Sequence, residues 1–168
     1  MNERFNDPRL TRLYEYWWAR RRSDLPPRRR DLDPIDLPGL LPILHLIDVM
    51  WRPLRFRHRL VGTEIVRHMG RDVTGRVLDE SLYGPATNEI LDSLTSLAME
   101  RRPYGRQARL DWHGRQWLAI ESVELPLVDD DGQVTMILRG CSFETVDPTE
   151  GLQRAPGARL RLWPLPPP

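Results

Sequence analysis

The sequence predicts an α+β fold: a five-stranded antiparallel sheet with short helices and one longer helix on one face, preceded by an amphipathic helix. Three observations predict it. Two alternating, β-rich stretches at 43–51 and 54–61 flank Arg52-Pro53 and so form a hairpin. The stretch 62–76 then breaks into short helical pieces punctuated by Gly62, Gly70 and Gly75, and a helix follows over 84–101. Three further strands, at 104–112, 115–127 and 134–143, are joined by the turn pairs His113-Gly114 and Asp131-Gly132, so the chain closes as a meander.

Composition bounds the reading. The 168 residues, 40% hydrophobic, suit one domain with tails. No apolar run approaches the roughly 18 residues that span a bilayer, and the N-terminus lacks a secretory pattern. One cysteine, Cys141, excludes an internal disulfide and fits a reducing cytoplasm. A net charge of +1 gives no global field to attract nucleic acid. The chain has arginine but no lysine, which reads as the codon bias of a GC-rich bacterial genome. Its 16 prolines fall mostly outside the periodic segments and mark linkers and helix starts.

The elements follow in order. Asp7-Pro8 opens a helix, with Asp as cap and Pro at the first helical position. Leu10, Leu13, Tyr14, Trp17 and Trp18 form its apolar stripe, opposite Arg9, Arg12, Glu15 and Arg20. That stripe could pack on its own domain, on a second copy of the chain, or on a membrane surface; Glu15 and the short length argue against the membrane. The stretch 23–38 is Pro-rich, and Arg28-Arg29-Arg30 is followed by Asp31 and Asp33, so it reads as a solvated linker neutralised in place. Alternation in the second strand puts Leu54, Phe56, His58 and Leu60 on one face and Arg55, Arg57 and Arg59 on the other, with Asp48 able to meet an arginine across the hairpin. Gly62 stops the strand, Thr63 is expected to cap the next helix, Gly70 ends it, and Asp72 or Thr74 caps the turn after. In the long helix Ile90, Leu91, Leu94, Leu97 and Ala98 make the buried stripe. The acids 129–131 lack the spaced ligands of a calcium loop and read as a turn. Beyond Val146 the chain is rich in Pro, Gly and Arg, and 146–168 is expected to be disordered or to dock elsewhere as a peptide. The expected organisation is therefore 1–32 helix and linker, 33–145 domain, 146–168 tail.

This order and the residues at its centre resemble a PAS domain, most of all the short, single-domain bacterial family catalogued as the fifth PAS group. The matching pieces are Asp33-Pro34, Leu46-Ile47-Asp48, Arg59-Leu60-Val61-Gly62-Thr63, the run Gly70-Arg71-Asp72-Val73-Thr74-Gly75, Leu125-Pro126-Leu127 and Asp131-Gly132. The resemblance implies a curved sheet cupping a pocket against the helices, and sensing or protein interaction rather than catalysis. Haem-binding relatives are expected to carry a His on the long helix; 84–101 has none, and His68 sits on the earlier short helix. The Asn-Cys-Arg motif of photoactive flavin domains is absent. Haem and photoactive flavin are thus disfavoured, and the cofactor is left unassigned.

Of the individual residues, His58 either is a core histidine bonded to a backbone carbonyl or lines a small-molecule pocket with Phe56, Leu60 and Leu94. Arg59 is expected to clamp an acid such as Asp72 or to meet the N-terminal helix. His45, His58, His68 and His113 fall on four separate elements, which disfavours a metal site. No nucleophile elbow, phosphate loop or Cys-x-x-Cys pair is present. The expectation is a non-catalytic, cytoplasmic sensory or regulatory module in bacterial signal transduction. It binds a small molecule, a partner signalling protein, or both, and dimerises through the N-terminal helix. The alternative is an Arg-rich nucleic-acid-binding module; an enzyme ranks last.

Overall fold

The computed structural model describes residues 5–110, 115–145 and 160–168. Asp7 accepts a hydrogen bond from the Arg9 amide, Pro8 takes the first helical position, and helix α1 runs Pro8–Trp18. Three single 3-10 turns, Arg29–Asp31, Pro34–Asp36 and Leu41–Ile43, lead into the sheet. Then come β1 (Leu44–Met50), β2 (Arg55–Val61), α2 (Thr63–Met69), α3 (Glu80–Tyr83), α4 (Thr87–Glu100), β3 (Tyr104–Leu110), β4 (Arg115–Val128), β5 (Val134–Thr145) and β6 (Leu160–Pro164). All pairings are antiparallel, in the order β2-β1-β5-β4-β3-β6. Asp129 accepts from the amides of Asp131 and Gln133, and Gly132 takes φ +80° in the β4–β5 turn. The expected His113-Gly114 turn lies outside the described residues.

Three expectations change. Among the described residues the sheet has six strands, because the tail supplies β6. Gly105 makes room for it: a Cβ there would lie 2.3 Å from the Trp163 ring, so this crossing needs glycine. Leu165 is buried beyond the strand, and its amide donates to the Pro103 carbonyl. The helices also cover both faces. Helix α4 packs Ile90, Leu94, Leu97 and Ala98 with Ile47, Phe56 and Ile137. Helix α1 covers the opposite face, over Val123, Leu125, Leu127 and Leu138.

The N-terminal helix thus shares a core with the sheet rather than belonging to a separate segment ending at 32. Leu10, Leu13, Tyr14 and Trp17 are at most 1% exposed within a single chain, so this stripe is not a free dimer face; Trp18 is half-buried beside it. Gly140 sets the approach, since a Cβ there would meet Leu13 at 2.7 Å and Leu10 at 3.1 Å. Trp17 Nε1 donates to the Pro126 carbonyl at 2.9 Å, and Tyr14 Oη to the Pro166 carbonyl at 2.7 Å. Two adjacent tryptophans are a large apolar load for so short a helix. Their load is absorbed because a large apolar sheet face lies beneath them. Trp17→Ala should lower unfolding free energy by about 3–5 kcal/mol in chemical denaturation, with the molar mass by light scattering unchanged. A lowered mass with unchanged stability would place the stripe on a partner instead.

Candidate functional site

The site is shaped by a bulge between the first two strands. His45 pairs with Val61 and Leu46 with Leu60, but Ile47 pairs with His58, so Arg59 is one residue extra in β2. Alternation therefore carries Phe56 and His58 inward and fails at Leu60, which is 45% exposed and faces away from the predicted pocket. Arg59 joins Arg57 at Asp48 (3.6 and 2.8 Å) rather than reaching Asp72. Asp72 instead accepts from the Thr74 amide and hydroxyl.

The Arg59-to-Gly75 motif is mostly backbone chemistry. Gly62, not Thr63, is the cap of α2, without a side-chain bond; Thr63 is the first helical residue. A Cβ at Gly62 would lie 2.3 Å from the Pro42 carbonyl oxygen, so glycine is required by close approach. Gly70 ends α2 in the left-handed region, and Gly75, at φ +85°, donates its amide to the His58 carbonyl.

Between α2 and the sheet lies a cavity of about 60 Å³. From the sheet it is lined by His45, Arg106, Ile120, Arg139, Cys141 and Phe143. From the helical side come Ile65 and Met69 of α2, then Arg71, Val73, Leu78 and Tyr83. None of the four expected pocket residues lines it. Phe56 and Leu94 fill the adjoining apolar core, Leu60 is turned out by the bulge, and His58 stands one layer behind. His58 nevertheless belongs to the site. Its Nδ1 is 2.7 Å from His45 Nε2, its Nε2 is 2.9 Å from Tyr83 Oη, and the two imidazoles stack at 4.8 Å. Two histidines from separate strands of the predicted hairpin thus converge. Among the described residues no group of three or more His, Cys, Asp or Glu is arranged for a metal.

The sheet wall carries an unusual charge arrangement. Glu124, with no exposure, faces Arg139 across β4–β5, and its Oε1 is 3.0 Å from Arg139 Nη2 and 3.7 Å from Arg106 Nη1. Ser122 Oγ donates to the same oxygen at 3.3 Å. Among the described residues, Arg106 Nε, Arg139 Nε and Glu124 Oε2 have no hydrogen-bond partner, although both arginines are more than nine-tenths buried. A third guanidinium, Arg71, also lines the cavity and donates to the Leu82 carbonyl.

These charges set the protonation of the neighbours. Burial, then Arg139, hold His45 well below the usual imidazole range. Burial, then Arg139, Arg71 and Arg76, push His58 down to about 4. Burial pushes the Cys141 thiol up to about 12, so it is a protonated wall group rather than a nucleophile. Burial also raises Tyr83. Neutral Tyr83, His58 and His45 therefore form a hydrogen-bond chain with two concerted proton arrangements. The site can bind and orient a polar molecule by fixed cations and by donors that reverse direction together.

The alternation rule missed Arg106, Arg139 and Glu124, though a signal existed. Glu124 interrupts an apolar run, Val123 to Val128, and Arg139 interrupts another at 136–141. A charge inside an otherwise buried strand needs a partner.

A family model described as PAS domain matches residues 5–141. The chain belongs to the PAS domain family. The match takes in α1, in keeping with the core that helix shares with the sheet. Among solved structures, the PAS domain of Bordetella pertussis BvgS is similar at 19% identity and TM-score 0.46, over 71% of this chain and 88% of that one. No curated protein matches. No helix among the described residues is long and apolar enough to cross a membrane.

The histidines make stability depend on pH. A folded pKa near 4 for His58, against about 6.5 unfolded, means that the unfolded chain binds more protons between those values. Stability should be full above about pH 6.5 and fall towards pH 4, by up to about 3 kcal/mol from this group. Thermal melts across that window should show the loss, and a His45→Gln/His58→Gln variant should show a flatter profile.

Proposed function

We propose that this PAS domain is a sensory or regulatory module of bacterial signal transduction that acts in the cytoplasm and takes a small molecule into the cavity under α2. The observation that carries this reading is the cavity itself, where a buried cationic wall and the Tyr83–His58–His45 chain meet an apolar roof. The protonated thiol of Cys141 and the neutral histidines favour binding over chemistry.

A route for the signal is supported by one contact. Helix α2 lines the cavity through Ile65 and Met69 and grips α1 through Glu64, whose two oxygens take Arg9 Nη1 at 2.9 Å and Nη2 at 3.0 Å. A molecule that binds two positions of α2 unequally would bias α1 through this fork, and a partner protein would read the result on the surface.

The nucleic-acid alternative is less well supported. Arg28 lies 2.9 Å from both Asp31 and Asp130, and Arg30 also meets Asp130, so much of this basic run is neutralised.

The test is NMR shift mapping with a fragment library on the full chain. Binding fragments should perturb the amides of Ile65, Met69, Cys141 and Phe143, and secondarily those of α1. In Arg9→Gln the cavity response should persist while the α1 response shrinks. Fragments mapping only to the outer surface would remove the reading.

A further inference from the structure

The wall of the cavity is overcharged. Arg71, Arg106 and Arg139 line it, and the one carboxylate within 4 Å of the two buried arginines, among the described residues, is Glu124. Arginine stays protonated in a protein interior, and both histidines beside it are held neutral. A buried cation without a matching anion is costly. Among the described residues, Arg106 Nε and Arg139 Nε also lack acceptors. Two charged donors, each buried and each on the wall of the same cavity, call for an anion that enters from outside.

The apolar part of the lining narrows the chemistry. Ile65, Met69, Val73 and Phe143 offer no donors to an oxyanion. A phosphate, with oxygens in every direction, would leave some against hydrocarbon without partners. A carboxylate has two oxygens on one end, which suit guanidinium forks, and an apolar remainder for the hydrocarbon part of the lining. The small volume, about 60 Å³, limits that remainder to a short aliphatic chain.

We propose that the cavity is a binding site for a short-chain aliphatic monocarboxylate, held at its charged end by Arg106 and Arg139 and at its hydrocarbon end by Ile65, Met69 and Phe143. This rests on the small-molecule reading above and names the ligand class. The Tyr83–His58–His45 chain stands beside the charged end and supplies either a donor or an acceptor, since its protons reverse together.

The probes are butanoate, butanamide, phenylacetate and inorganic phosphate, titrated into the full chain at constant ionic strength. Calorimetry and NMR shifts of the Ile65 and Met69 amides are the readouts. Butanoate should bind saturably and perturb those amides. Butanamide and phosphate should bind at least roughly tenfold more weakly for lack of a matching charge or shape, and phenylacetate more weakly for its size.

Arg106→Met removes the surplus charge and leaves the 3.0 Å Arg139–Glu124 pair in place. It should keep or raise the melting temperature and weaken butanoate roughly tenfold or more. Should that variant fail to fold, Arg106→Lys keeps the charge without the fork and should also weaken butanoate. Butanamide or phosphate binding as well as butanoate, or unchanged butanoate affinity in the folded Arg106 variant, would overturn the carboxylate assignment. If fragments still perturb the Ile65 and Met69 amides, the small-molecule reading survives that result; if no molecule of either set perturbs them, both fall.

Discussion

Glu124 is a carboxylate with no exposure in the middle of a six-stranded sheet, and the rest of the site follows from that one burial. Such a group is tolerated only beside a cation. Arg139 opposite it and Arg106 on the next strand meet that need, but two guanidiniums exceed one carboxylate. The surplus positive potential then falls on whatever shares this side of the sheet. It keeps His45 and His58 unprotonated and adds to the burial that already disfavours their charge. It also gives the cavity a sign.

The two faces of the sheet divide the work. Beneath α1 the face is apolar and close-packed, with Gly140 admitting Leu10 and Leu13 and with Trp17 anchored to the Pro126 carbonyl. That face has no room to respond. On the other, α4 fills the apolar core and the cavity is roofed by α2, a short helix whose start is pinned by the close approach of Gly62 to Pro42. A short helix over a cavity, tied to α1 by the Arg9–Glu64 fork, is the natural place for movement. Strand β6 covers the outer edge of β3, which would otherwise present unpaired backbone groups.

Much of the architecture was legible in the sequence, because its signals are local. The Asp7-Pro8 opening, the hairpin about Arg52-Pro53, the turn at Asp131-Gly132 and the glycine stops are short-range chemistry, and all of these recur in the structure. The failures share a different cause. Leu60 was misplaced because one extra residue in β2 resets the period of two, and alternation cannot see a bulge. The stripe of α1 left its own domain, a second copy and a membrane surface open as destinations, because its partner face lies more than a hundred residues downstream. The tail looked unstructured from composition, yet the slot for Trp163 is a missing side chain at Gly105, which no pattern within the tail reports. The site was least legible of all. Its members, at 45, 58, 83, 106, 124 and 139, come from six different stretches that only the sheet order assembles.

This interior holds more positive charge than Glu124 can match, and it faces a cavity that an anion would complete. A high-resolution crystal structure of protein purified without added carboxylates and then soaked with butanoate is the decisive measurement. Density for the acid is expected, with an oxygen within hydrogen-bond distance of the Nε atoms of Arg106 and Arg139. A cavity that stays closed, with both guanidiniums turned onto protein acceptors and no anion between them, would contradict it.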